Sequence, residues 1–289
     1  MLYKYLPIER SEFLNNRLLR FTQPGDFNDP FELHPSVDLM SKADIAALPP
    51  APGHEGPDGR MHILTPEALQ AMLTAFLPGL QKQMAQHASH GGAFAFDNNR
   101  AAQSTFDSKF GILCLSEIAD SLLMWAHYAE NHRGFVVQFD EAHPFFAASE
   151  FEGQSLGLTR VEYSPERPVL SYSTINSPHL YYRKSPEWSC EREWRLIKPL
   201  ATASKLIARE EFPLHLYEVP HEAVKGVILG HAMPHETRVK LFDILASNLG
   251  HATIFQTALS KDTYALEIHP PLDGKVPPGA LNGRICEAR

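Results

Sequence analysis

Short runs of alternating apolar and polar residues recur from Leu2 to Ile268 and set the expected elements. Leu2 to Tyr5 reads as a strand. Pro7 or Ile8 then opens a helix, because Pro suits a first turn and Glu9 and Glu12 favour its positive end, with Phe13, Leu14 and Leu18 as its apolar spacing. Leu19 to Thr22 predicts a second strand, ended by the turn formers Gln23 to Asp26. Further strands are predicted at 111–115, 135–139, 159–163, 192–197, 224–229, 253–256 and 264–268. Helices are predicted at 65–80 behind Thr65-Pro66-Glu67, at 121–131 before Gly134, and at 234–249 before Gly250, with a short helical turn from Pro186 through Trp188. Strands and helices alternate irregularly and some strands are adjacent. The pattern predicts an α+β fold: a mixed, largely antiparallel sheet flanked by helices rather than a doubly wound parallel one.

No long Gly/Ser-rich or charge-rich linker divides the chain, so residues 1–270 read as one domain. Pro49-Pro50-Ala51-Pro52-Gly53 and Gly56-Pro57-Asp58-Gly59 mark a flexible insertion around 41–60, and Pro270-Pro271 begins a loosely structured tail over 271–289.

Composition narrows the function classes. The formal net charge of -8 gives no global attraction to nucleic acid or to an anionic membrane, so polyanion binding would need a local site. Cys114, Cys190 and Cys286 are widely spaced, which implies neither a disulfide framework nor a thiolate cluster. The first residues lack the apolar stretch of a signal peptide or membrane span, so a cytoplasmic protein without membrane attachment is expected. His87 to Gly92 lacks the Lys-Ser/Thr ending of a phosphate loop, and no GxGxxG fingerprint is present.

The candidate chemistry centres on Trp188-Ser189-Cys190-Glu191-Arg192-Glu193-Trp194-Arg195. If this run enters a strand near Glu191, alternation puts Glu191, Glu193 and Arg195 on one face. One carboxylate can stabilise a developing sugar cation, the other can position or deprotonate an acceptor, and Arg195 can orient both. The plainer reading is a charged strand face on which Arg195 neutralises Glu193. His127 and Tyr128 share a polar helical face and either meet a ligand or tie the helix to the sheet. Asn28, Asp29 and Glu32 either bind a ligand or close an Asx-type turn. Ser116-Glu117 either orients a substrate or caps the next helix. His231 and His235 straddle Pro234, which breaks the one-turn spacing of paired zinc ligands, so no metal site is expected.

Leu2-Tyr3-Lys4-Tyr5, Phe27-Asn28-Asp29-Pro30-Phe31, Leu113 to Glu117, Met124 to Ala129 with Gly134-Phe135, and Trp188 to Arg195 together resemble, in order, the family called domain of unknown function 2971, from residue 2 to about 230. That family is mainly bacterial and occurs in settings suggestive of defence or toxin systems. Glu191-Arg192-Glu193 also resembles the Glu-x-Glu signature of ADP-ribosyltransferases. That resemblance implies an ADP-ribosyltransferase-like fold with NAD as substrate, Glu193 on the nicotinamide ribose and Glu191 serving the acceptor. The family often has Arg after Tyr-Lys-Tyr; Leu6 stands there, so Lys4 or Arg20 would supply the basic residue of the first strand.

Three classes follow. The leading expectation is an NAD-dependent ADP-ribosyltransferase-like enzyme acting on a protein or nucleic-acid acceptor, with Glu193, Glu191 and Arg195 as its catalytic group. Tyr3, Lys4, Asn28, Asp29, Ser116, His127 and Tyr128 would bind the cofactor. A metal-dependent phosphodiesterase would instead gather Asp29, Glu117, His127 and both glutamates around one ion. A non-catalytic binding module would bury the glutamates in complete salt bridges.

Overall fold

Leu2–Leu6 alternates between two packed layers, which makes it a central strand. The computed structural model describes residues 1–29, 31, 36–37, 54–55, 61–62, 107–151, 154–170 and 181–270. Within them an eight-stranded sheet runs in spatial order Thr159–Arg160, Glu193–Pro199, Phe110–Ser116, Leu2–Leu6, Phe135–Phe139, Val224–Leu229, Thr253–Leu259 and Leu266–His269. Neighbours are antiparallel except Val224–Leu229 and Thr253–Leu259. That parallel pair needs a crossover, and the helix His235–Asn248 supplies it. The architecture is the α+β arrangement, with a mostly antiparallel sheet, that the sequence pattern predicts.

One face of the sheet carries the larger core, where Leu113, Leu115, Leu196, Val137 and Val227 meet Phe21, Tyr217, Leu241 and Leu245. The other face carries Tyr5, Val136 and Ile228 beneath Trp125 and Met124 of the helix Leu122–Tyr128. Ser121 caps that helix by accepting from the Met124 amide at 3.3 Å. Trp125 is fully buried; its indole donates to the Ala119 carbonyl at 2.7 Å, and its ring meets Tyr5 edge-on at 5.6 Å.

A further three-stranded sheet, Lys205–Ile207, Leu214–Glu218 and Leu18–Phe21, lies beside the first. Thr22 links the two sheets by exchanging both backbone hydrogen bonds with Ile112, at 2.9 and 2.8 Å. The strands at 205–207 and 214–218 have no counterpart in the sequence reading. Lys205–Ile207 is exposed throughout, so burial imposes no apolar alternation on it.

Several expected boundaries move. The helix expected after Pro7 becomes a 3₁₀ turn, Ile8–Arg10, and a four-residue helix, Phe13–Asn16, stopped by Arg17 at φ 54°; Leu18 belongs to the next strand. The helix expected over 121–131 ends at Tyr128, because Glu130, Asn131 and His132 all adopt positive φ before Gly134. Gly134 is required there: a Cβ would collide with the Leu6 carbonyl. The strand expected over 159–163 splits at Val161. Its amide donates to the Glu193 carbonyl, whereas Glu162 donates to Tyr182, so the chain changes partners mid-run.

The expected helix at 65–80, the connection at 87–92 and the tail at 271–289 lie outside the described residues. So does the expected insertion at 41–60, apart from His54–Glu55, which pairs with Met61–His62. Trp125 joins helix to sheet, so Trp125→Ala is expected to cost about 3–5 kcal/mol of unfolding free energy, read by urea denaturation.

Candidate functional site

The strand Phe110–Ser116 has one edge with three kinds of partner. Ile112 pairs with Thr22, Ser116 pairs with Tyr3, and between them the Cys114 carbonyl accepts from Lys4 Nζ at 2.9 Å. The first strand and Thr22 therefore diverge on either side of Cys114, and a cavity of about 240 Å³ opens at this fork. Directly paired residues of antiparallel strands face the same way, so Glu193, Ser116 and Tyr3 form a row across three adjacent strands on the cavity side. Lys4, Asn28, Tyr128, Lys184 and Glu191 add to its polar lining, as do Arg20, Thr22 and Asp26.

Glu191 reaches the site by a different route from the expected one. The strand begins at Glu193 rather than at 191 or 192. Glu191 ends a 3₁₀ turn, Pro186–Glu191, whose start is capped by Ser185, and Arg192 turns the chain at φ 44°. Strand alternation therefore does not bring the two carboxylates together; a left-handed residue does. Ser116 fixes the turn from the sheet side, its hydroxyl donating to the Glu191 carbonyl at 2.7 Å.

The result is a buried chain of alternating charge. Tyr128 donates to Glu191 Oε1 at 2.5 Å. Lys184 Nζ bridges Glu191 Oε2 at 2.7 Å and Glu193 Oε2 at 3.2 Å. Arg195 meets Glu193 with Nε at 2.8 Å and Nη2 at 3.1 Å, and donates from Nη1 to the Tyr181 carbonyl at 2.6 Å. Tyr163 accepts from the Glu193 amide at 2.9 Å, and Trp188 offers its ring face to the Lys184 ammonium at 4.9 Å. All four charged residues are buried.

Electrostatics follow from this order. Burial alone would raise the Glu193 pKa, but the Arg195 guanidinium and then the Lys184 ammonium overrule it and hold the carboxyl well below the usual range. Burial first, and the Glu193 charge second, push the Cys114 thiol up. Burial and the neighbouring Glu191 carboxylate push the Tyr128 phenol up, and burial pushes Tyr163 up to about 12. At neutral pH Glu193 is thus ionised, while the Tyr128 and Tyr163 phenols and the Cys114 thiol keep their protons.

Of the residues expected from the sequence, Tyr3, Lys4, Asn28, Ser116, Tyr128, Glu191 and Glu193 line the cavity, and Arg195 braces Glu193 from behind. Asp29 does not line it: it is buried, and Oδ1 accepts from the Phe31 amide at 2.9 Å in an Asx-type turn. His127 is exposed and outside the lining. Glu117 faces elsewhere, accepting from the Trp194 indole at 2.7 Å and pairing with Arg160. Among the described residues no three His, Cys, Asp or Glu side chains gather as a metal site would require, and the five residues of the phosphodiesterase reading do not converge.

Lys184, together with Tyr163, is a site residue that the sequence reading missed. Lys184 sits on the two-residue strand Arg183–Lys184, paired in parallel with Glu162–Tyr163. Tyr163 and Lys184 thus enter the site from one small ladder.

The family model for a protein of unknown function (DUF2971) matches residues 124–196. That span holds Tyr128, Tyr163, Lys184, Glu191, Glu193 and Arg195, the whole ion-pair chain, while Tyr3, Lys4, Asn28, Cys114 and Ser116 fall outside it. The wider resemblance, from residue 2 to about 230, is covered by the DUF2971 match in this central part. No curated protein and no solved structure matches the chain. Among the described residues no helix is long and apolar enough to cross a membrane.

Lys184 keeps both carboxylates compensated, and this has a measurable sign. In the wild type Glu193 has a folded-state pKa below the ordinary 4.5, so its contribution is present above that pH and is lost on acidification below it. In Lys184→Met one buried carboxylate lacks its cation and its pKa rises, so stability is lost as pH increases. Lys184→Met is expected to be about 3–5 kcal/mol less stable than wild type at pH 7 and to recover part of that at pH 5, in melting curves taken at both pH values.

Proposed function

We propose that the cavity is the site of an NAD-dependent, ADP-ribosyltransferase-like reaction, with Glu191 and Glu193 as its carboxylate pair. The observation that carries this reading is the row Glu193, Ser116, Tyr3 across three adjacent strands, with Glu191 two residues earlier on a tight turn beside the same cavity. Breaking the nicotinamide–ribose bond builds positive charge on the sugar. A fixed, ionised carboxylate pair answers that charge in the transition state more than in bound NAD. Depressed protonation of Glu193 supplies such a charge at neutral pH. A cavity of about 240 Å³ takes one moiety of a dinucleotide, since sites for drug-sized ligands span roughly 300–1,000 Å³. In this reading the remainder of NAD extends past the exposed rim at Asn28. The acceptor is a protein or nucleic acid, and the setting is a cytoplasmic bacterial defence or toxin effector.

A second reading, a non-catalytic binding module, draws on one specific observation: Glu193 already has Arg195 and Lys184 as partners without any ligand. The two readings separate in one assay. Purified protein incubated with NAD is expected to release nicotinamide, and Glu193→Gln to slow release by about a hundredfold or more while binding NAD. A wild-type protein that neither binds nor consumes NAD would leave the binding module as the function. A folded Glu193→Gln variant with full turnover would remove the carboxylate from the chemistry.

A further inference from the structure

The two glutamates are unequal as hydrogen-bond acceptors. An ionised carboxylate has about four lone-pair positions. On Glu193 Arg195 takes two, Lys184 takes a third, and the Cys114 thiol lies against the same group as a further donor. On Glu191 Tyr128 and Lys184 take one each. Both side chains line the cavity, but Glu191 alone of the two keeps room for two more donors.

Lys4 presents the complementary imbalance. Its half-buried ammonium lines the same cavity and gives one hydrogen bond, to the Cys114 carbonyl. Among the described residues it forms no ion pair, whereas Asp26, which lines the same cavity, is already paired with Arg20 and Arg209. A lysine that is partly withdrawn from water normally gains an anion in exchange.

We infer that Glu191, not Glu193, receives the ligand, and that the ligand is a small hydroxyl-bearing anion of the sugar-phosphate class, its hydroxyls on Glu191 and its phosphate on Lys4. The inference rests on the cavity as the binding site and deepens the NAD reading, because a ribosyl phosphate is part of NAD; it also holds for a free sugar phosphate. In ligand binding, as distinct from the bond-breaking step, Glu193 is a positioning residue: with Arg195 behind it, it fixes the Lys184 ammonium, and Lys184 in turn aims Glu191.

Calorimetric titration with ribose 5-phosphate, inorganic phosphate and NAD tests this on the wild type and on Glu191→Gln, Glu193→Gln and Lys4→Met. Ribose 5-phosphate is expected to bind the wild type. Glu191→Gln and Lys4→Met should each weaken it by about tenfold or more without lowering the melting temperature by more than a few degrees, the scale of one charge-assisted hydrogen bond. Glu193→Gln should melt earlier yet keep its dissociation constant within about threefold. If Glu193→Gln fails to fold, Glu191→Gln and Lys4→Met carry the test, since both leave the buried Glu193–Arg195 and Glu193–Lys184 pairs intact. Loss of binding in Glu193→Gln with retention in Glu191→Gln would overturn the assignment, as would inorganic phosphate binding as tightly as ribose 5-phosphate, or no binding of ribose 5-phosphate or NAD by the wild type. A wild type that binds ribose 5-phosphate but consumes no NAD supports the inference and removes the transferase reading. Turnover of NAD by a Glu191→Gln variant of wild-type affinity does the reverse.

Discussion

The site depends on one interaction, the Lys184 ammonium held between Glu191 and Glu193 at 2.7 and 3.2 Å. Two carboxylates withdrawn from water this close cannot both stay ionised without a cation between them. With Lys184 in place, and Arg195 on the far side of Glu193, the charges alternate and sum to zero, so burial is tolerated. Replacing the whole set by apolar residues would also have filled the space, and such replacements are often neutral or stabilising. Retention of four charges where hydrophobic packing would serve is the physical reason to look here for chemistry or recognition.

The surrounding fold is arranged so that these charges meet. Arg195 and Glu193 come from one strand, Glu191 from the turn before it, and Lys184 and Tyr163 from a two-residue parallel ladder. That ladder exists because the chain leaves the large sheet at Val161 to pair with residues 182–184. The cavity exists for a related reason: Phe110–Ser116 shares its edge between Thr22 and Tyr3 and leaves Cys114 to a side chain. Two departures from continuous strand pairing thus build both the charged floor and the space above it.

This also explains how much was legible in the sequence. Phe135–Phe139 and Val224–Leu229 are largely apolar runs buried on both faces and match to the residue, whereas the half-buried Leu214–Glu218 had no counterpart. Glu191, Glu193 and Arg195 were visible as a charged cluster, but the alternation argument gave Glu191 the wrong route, since nothing in Arg192 announces a left-handed backbone. Tyr128 was readable from its place on a polar helical face. Lys184 was not, because Arg183-Lys184 is an ordinary basic pair until a two-residue ladder with Glu162–Tyr163 turns Lys184 inward, toward the two acids. Asp29 and His127 show the converse: residue types suited to chemistry that the backbone spends on a turn and on solvent.

The unequal saturation of the two carboxylates has a consequence for any ligand. Arg195 holds Glu193 through two nitrogens and is itself fixed by the Tyr181 carbonyl, so that end of the chain is rigid. Glu191 is held by single contacts from a phenol and an ammonium and sits on a turn whose carbonyl is anchored by Ser116. A donor arriving in the cavity can therefore enlist Glu191 without dismantling the Arg195 pair. If the same donor bound Glu193 instead, it would have to displace a charge-assisted hydrogen bond, each of which contributes about 1.5–3 kcal/mol. Position in the charge chain, rather than position in the Glu-x-Glu run, thus decides which carboxylate is available.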